Sequence, residues 1–235
     1  MKLTFTKCIV LAAFCAVMAS CLPEMEYMYT DTGMCTLLAP DKLQTDGGDI
    51  YHISQNNAGA NIPDTLKRVM TRCDVMSPVE GKANEYYVRL MEFASAIVED
   101  PVLKSDMDET VVGNNGLNIS SGWISGGYLN AYVFIPMLRP TKVDHTISLV
   151  YDDIRSNADT LYFEMRHNAL GECPENPDIP LTSFEFAGTY TSFPLEGILE
   201  SGKKPVCHIE WDWYEGDEYS FTRNKIRRSG NLSIQ

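Results

Sequence analysis

Basic residues are scarce in this chain of 235: 19 Lys and Arg stand against 32 Asp and Glu, a formal charge of −13, with only four histidines. A surface of that sign repels phosphate backbones, which argues against nucleic acid as a partner. No internal repeat or low-complexity tract is present. With 44% hydrophobic and 22% charged residues, disordered and fibrous classes drop out. No apolar run reaches the ~20 residues that a bilayer-spanning helix needs. Gly-x-Ser-x-Gly, a phosphate-binding loop and His-Glu-x-x-His are all missing, and with them the usual signatures of serine hydrolases, nucleotide-binding proteins and zinc proteases. The seven cysteines include no Cys-x-x-Cys pair of the kind a zinc site wants. No catalytic residue, metal or cofactor is expected.

What is present begins with an address. Lys2 and Lys7 accompany an unbroken apolar run over residues 8–18, which ends Met18-Ala19-Ser20-Cys21. Two small residues directly before a cysteine resemble the lipobox of bacterial lipoproteins. That implies a removable signal peptide at residues 1–20 and a lipid on Cys21; simple secretion with cleavage near Ser20 is the alternative. At about 0.8 kcal/mol per buried methylene, two or three acyl chains hold a protein stably on a membrane. The mature chain is therefore expected to be tethered to the membrane through Cys21, with residues 21–26, including Glu24 and Glu26, as an acidic leash. The expected location is the cell envelope, at the outer membrane, with the periplasmic or outward face left open. Loss of residues 1–20 removes two lysines and no acid, which brings the charge to −15. It leaves Cys35, Cys73, Cys173 and Cys207. Either these pair, Cys35 with Cys73 and Cys173 with Cys207 if each bond stays within one domain, or they lie as buried free thiols.

From Tyr27 the chain reads as short β-rich runs separated by Gly, Asn, Asp and Pro. Alternation sets Ile50 and His52 against Tyr51 and Ile53, and Val69, Thr71 and Cys73 against Arg68, Met70 and Arg72. With residues 86–93 these runs predict a small barrel over residues 27–103. Residues 99–121, with Pro101, acids at 106–109 and Gly113-Asn114-Asn115-Gly116, read as a boundary. Short helices are expected only near 61–65 or 94–98. Residues 127–137 are largely apolar on both faces, as in a central strand. With runs at 145–151, 161–168, 183–187, 206–213 and 219–223 they predict an antiparallel sandwich over residues 104–235.

The ordered motifs Gly48-Asp49-Ile50-Tyr51, Lys67-Arg68-Val69, Tyr87-Val88-Arg89-Leu90, Gly127-Tyr128-Leu129-Asn130, Asp144-His145-Thr146-Ile147, Arg166-His167-Asn168-Ala169 and Ser183-Phe184-Glu185-Phe186 resemble those of the NigD-like lipoproteins of Bacteroides-type bacteria. Glu172 and Glu185 stand where that family usually has Asp, a change that keeps the charge. The resemblance runs through nearly the whole mature chain. It implies an all-β protein, an N-terminal OB-fold-like barrel followed by a C-terminal antiparallel β-sandwich, and brings no catalytic residue with it.

Near the C-terminus, alternation places His208, Glu210 and Asp212 on one strand face and Ile209, Trp211 and Trp213 on the other. With Tyr214, the first three are candidates for ligand-facing residues. Neighbours on one face are about 7 Å apart, so one strand cannot enclose an ion, and a solvated acidic face is the plainer expectation. Trp211, Trp213, Tyr214 and Tyr219 would form a sugar-stacking platform only if exposed; otherwise Tyr214 and Trp123 are the better candidates. His145 beside Asp144, and His167 near Glu164, suggest a general base, but burial against backbone or a tyrosine hydroxyl is expected. The basic stretch 223–228 is expected to be a solvated end. The functional expectation is a non-enzymatic, lipid-anchored envelope protein that binds an envelope partner, with a carbohydrate-binding module as the alternative class.

Overall fold

A computed structural model describes residues 27–200, 202–216 and 221–235. The expected signal peptide at residues 1–20, Cys21 and the expected leash at 21–26 lie outside the described residues, as does Tyr219. The fold is all-β. Its first five strands are β1 (Tyr29–Ala39), β2 (Lys42–Thr45), β3 (Ile50–Asn56), β4 (Arg68–Pro78) and β5 (Glu85–Val98). Each pairs with two others, β3 and β5 in parallel and the rest antiparallel, so the pairings close into a ring. Val69 and Cys73 of β4 point inward, as their alternation requires, and meet Leu43, Tyr51, Val88 and Leu90 in one apolar cluster. Residues 94–98 are strand and not a helical turn, because Ala96, Ile97 and Val98 leave the ring to pair with a second sheet. Residues 61–65 carry no helix either; Ile62 is buried against the ring core.

That second sheet consists of the end of β5, then β11 (Phe184–Pro194), β8 (Tyr128–Leu138), β7 (Asn118–Ser125) and the last residues of β13 (Phe221–Ile234). A third runs from β13 through β12 (Val206–Gly216), β10 (Thr160–Asn168) and β9 (Thr146–Tyr151) to the two-residue β6 (Val102–Leu103). Leu129, Ala131 and Val133 of β8 share one core with Leu149, Phe163 and Ile209 of the opposing sheet, which makes a sandwich. It is mixed, not purely antiparallel: β10 with β12, β13 with β7, and β6 with β9 are parallel. The basic stretch 223–228 is no free end but the middle of β13, paired to β12.

Cys35, Cys73, Cys173 and Cys207 are free, buried thiols, and strand register explains the first pair. Cys35 lies opposite Val69, four positions from Cys73 on the same strand. Four residues of strand extend roughly 13 Å, beyond the ~7 Å that a bridge between Cα atoms tolerates. Burial pushes the Cys35 and Cys207 thiols up to about 11 and that of Cys73 to about 12, away from the reactive thiolate.

Ring and sandwich meet over a buried charge. Arg68, 1% exposed, uses all five of its N–H groups. Two go to the carboxylate of Asp46 at 2.6 and 2.9 Å, one to Thr36 at 3.0 Å, one to Asn130 at 3.1 Å and one to Ser192 at 3.0 Å. Thr36 and Asp46 belong to the ring; Asn130 and Ser192 belong to the sandwich. Ser125 adds a 2.5 Å hydrogen bond to Asp46, and the Tyr128 ring lies 4.1 Å from the guanidinium carbon. A buried ion pair is tolerated when its remaining donors and acceptors are satisfied, as they are here.

Candidate functional site

Strand β12 obeys its alternation. Cys207 and Ile209 are in the core, Trp211 packs against it and Trp213 is buried, so neither tryptophan forms an exposed platform. His208, Glu210 and Asp212 share the outer face, but that face is a charge lattice and not an open acidic strip. Arg227, opposite Asp212 on β13, lies 2.6 Å from Glu164, 2.9 Å from Glu210 and 3.4 Å from Asp212. Arg155 holds Glu210 at 3.0 Å and covers the Tyr162 ring, which in turn stacks on His208 at 5.1 Å. Arg166 lies 2.9 Å from Glu164, and Lys104 3.1 Å from Asp152. Burial works against the Glu210 charge, but Arg227 and Arg155 outweigh it and hold its carboxyl below the usual range. Among the described residues no group of three His, Cys, Asp or Glu has the arrangement of a metal site.

Tyr214 is not exposed beside His208, Glu210 and Asp212. It shares the outer face of β12 but is fully buried, because a neighbouring segment covers it. Strands β10 and β12 pair only from Thr160 and Val206 to Glu164 and Glu210. Beyond that they part, and residues 113–117 enter the fork: Asn115 donates its N–H to the His167 carbonyl at 2.8 Å, and Leu117 to that of Asp212 at 2.9 Å. Glycine is required at both close approaches. A Cβ at Gly113 would stand 2.7 Å from the His167 carbonyl oxygen, and one at Gly116 would stand 2.4 Å from the Tyr214 ring. The Gly-Asn-Asn-Gly run that reads as a boundary is a wedge.

Around the wedge runs a chain of polar contacts. Glu175 accepts the Tyr214 hydroxyl at 2.5 Å and lies 3.3 Å from Lys225. The Gly116 N–H donates to that same hydroxyl at 3.1 Å. On its other side, the Gly116 carbonyl is 3.2 Å from His167 Nδ1. A carbonyl only accepts, so Nδ1 carries the proton; His167 Nε2 is then left to accept from His145 Nδ1 at 3.0 Å. His145 Nε2 ends the chain. It has no hydrogen-bond partner among the described residues and sits 3.9 Å from Glu172. Glu172 is held by Thr141 at 2.8 Å and the Lys142 N–H at 3.0 Å, the Thr141 bond first among the causes that lower its pKa. Burial, and then the neighbouring His145, push His167 down to about 4; burial also lowers His145 against the pull of Glu172. The histidines thus bond to each other and to backbone. Asp144 is exposed beside them, and Glu164 belongs to the arginine lattice. Arg223 ties the covering loop down by donating to the carbonyls of Pro174, Asn176 and Ile179.

One open feature was not visible in the sequence. A groove of about 640 Å³ lies between residues 60–66 of the ring and strands β8 and β11 of the sandwich, and Phe93, Tyr132 and Tyr190 line it. Register places Tyr132 opposite Tyr190, on the face of β8 away from the core residues Ala131 and Val133. Their ring centroids are 4.7 Å apart. Trp123, opposite Asn130 on β7, is half-buried on the same face and does not line this groove. The readable signal was the outward aromatic register of β8; its partner β11 reads as a strand only to residue 187, short of Tyr190.

Residues 100–223 match the family model of the NigD-like C-terminal beta sandwich domain. A search of curated proteins gives no significant match. Solved structures share the fold at low identity. A protein of unknown function from Bacteroides vulgatus has a TM-score of 0.60 at 16% identity over 87% of this chain and 90% of that one. A NigD-like immunity protein from Bacteroides caccae has 0.57 at 16% over 86% and 93%. A candidate lipoprotein from Bacteroides fragilis has 0.58 at 13% over 87% and 97%. These likenesses speak for the fold, and they extend beyond the sandwich into the ring. The family model covers more than half of the sequence, over the segment that folds as the sandwich, so the chain belongs to the NigD-like family.

Proposed function

We propose that this chain is a non-catalytic envelope lipoprotein, tethered at the outer membrane through a lipidated Cys21, that binds another envelope macromolecule with a rigid two-part body. In this reading the ring is an OB-fold-like barrel, and the sandwich takes in residues 96–98 and 102–103 from before the expected boundary at 103 as well as residues 104–235. The observation that carries it is the commitment of the charged and titratable groups to the fold. Glu164, Glu210 and Asp212 are held by arginines, His167 by the Gly116 carbonyl, and Arg68 by five acceptors across the junction. A body locked at that junction presents fixed surfaces and not a hinged cleft. The tether reading is supported by the small-residue pair before Cys21 and by the lipoprotein description of the Bacteroides fragilis neighbour. The immunity role named for the Bacteroides caccae protein would be one form of such partner binding.

Cell fractionation tests the tether. The wild-type chain should sediment with outer membranes and be released by detergent, while Cys21→Ala should appear in the soluble periplasmic fraction. Unchanged membrane association of the variant counts against it. Hydrolysis of an envelope substrate by the purified protein, abolished by one point substitution, would overturn the non-catalytic reading.

A further inference from the structure

The groove between ring and sandwich differs chemically from the rest of the surface. Among the described residues no charged side chain lines this groove; its walls are aromatic, aliphatic, hydroxyl and amide. Its volume of about 640 Å³ falls within the usual range of small-ligand sites. The Tyr132 ring lies over Gly188: a Cβ there would stand 2.2 Å from its hydroxyl oxygen and 2.7 Å from its Cζ. A ring laid over a strand glycine also shields the sheet. Shielding does not account for the polar groups bordering the same cavity. Among the described residues, the hydroxyls of Tyr132, Tyr190 and Ser95 have no protein partner, and the Asn61 amide nitrogen has none either, its oxygen being engaged by Asn56.

Ring faces beside unused, uncharged donors and acceptors match a ligand with apolar C–H faces and many hydroxyls. A charged ligand would find no counter-ion among the described residues that line it, and a purely apolar one would leave those polar groups unpaired. We propose that this groove binds a short neutral oligosaccharide, stacked on Tyr132 and Tyr190. The inference takes the non-catalytic binding reading as its premise and names the class of ligand.

The test uses the full chain in a sugar-free detergent and titrates it by calorimetry. The probes are neutral gluco-, manno- and galacto-oligosaccharides of two to six units, uronate-containing oligosaccharides of equal length, and an extended apolar peptide. At least one neutral series should bind, with affinity rising with length and exceeding that of the uronates. Tyr190→Ala should weaken binding several-fold to about tenfold, the scale of one aromatic stacking contact. Tyr190→Phe should retain most of it. Gly188→Ala, which displaces the Tyr132 ring, should weaken it with thermal unfolding still cooperative. Absence of binding by every neutral sugar, stronger binding of uronates or of the peptide, or indifference to both Tyr190→Ala and Gly188→Ala overturns the assignment. Chromatography of the recovered sugars separates the two failures. Shortened products would sink the non-catalytic premise, whereas intact but unretained sugars sink the ligand class alone.

Discussion

Acidification should loosen this fold through His167 before it does so through its neighbours Glu172 and Glu175. His167 is fully buried, its Nδ1 proton is given to Gly116 and its Nε2 lone pair to His145, so the folded chain has no place for a second proton on that ring. Its pKa is about 4 when folded and about 6.5 in an unfolded chain. Below 6.5 the unfolded state takes up a proton that the folded state refuses, so stability is full above that pH and falls as pH drops toward 4. Linkage with those two values gives a loss of about 2 kcal/mol between pH 7 and pH 5, with His145 adding in the same direction because burial lowers it too. Glu172 and Glu175 are held below the ordinary carboxylate range, so their losses begin only at lower pH. Urea unfolding at pH 7, 6 and 5, followed by the fluorescence of the three tryptophans, reads the slope directly. His167→Asn keeps an amide donor near the position of Nδ1 but cannot titrate. It should be less stable at pH 7 yet lose at least half of the pH dependence. A wild-type stability flat from pH 7 to 5, or a variant with the wild-type slope, would refute the assignment of the buried proton chain.

Three further outcomes follow from the packing. Arg68→Met should cost about 3–5 kcal/mol in chemical denaturation, since it leaves Asp46 buried without its cation; Asp46→Asn in the same background should recover part of that loss. Gly116→Ala should lower the melting temperature more than Gly33→Ala, because a methyl at 116 meets the Tyr214 ring at 2.4 Å whereas one at 33 meets nothing within 4 Å; equal effects would show that the wedge is not tightly seated. Cys35, Cys73 and Cys207 should not react with a thiol reagent at pH 8 until the chain is unfolded, because burial raises all three; fast labelling of the native protein by mass spectrometry would contradict their burial.

Local alternation was readable wherever one face of a strand is buried. Val69 and Cys73 inward on β4, a doubly apolar β8, and His208, Glu210 and Asp212 together on β12 all follow from period two. What escaped has non-local causes. Arg68 reads as an outward residue and does leave the ring core, but the sandwich then covers it. Residues 96–98 have no strand partner within the ring; their partner is β11, about 94 residues onward. Tyr214 and the 113–117 wedge depend on where two strands stop pairing, which no window of sequence contains. Strand β1 begins with Thr30, Asp31, Thr32 and Gly33, which take their register from β4 and not from an apolar pattern of their own.

Strand β5 belongs to two bodies at once. Its residues 85–95 complete the ring and its residues 96–98 form the edge of a sandwich sheet. A cut in the chain after residue 98 would therefore strip the sandwich of a strand and bare the backbone of β11, an invitation to intermolecular pairing. A cut before residue 85 would open the ring. Ring and sandwich can be named separately, yet they share a strand and a buried arginine; an exchange of one half for another has to keep β5 in register with β11 and Arg68 of β4 within reach of Asn130 and Ser192.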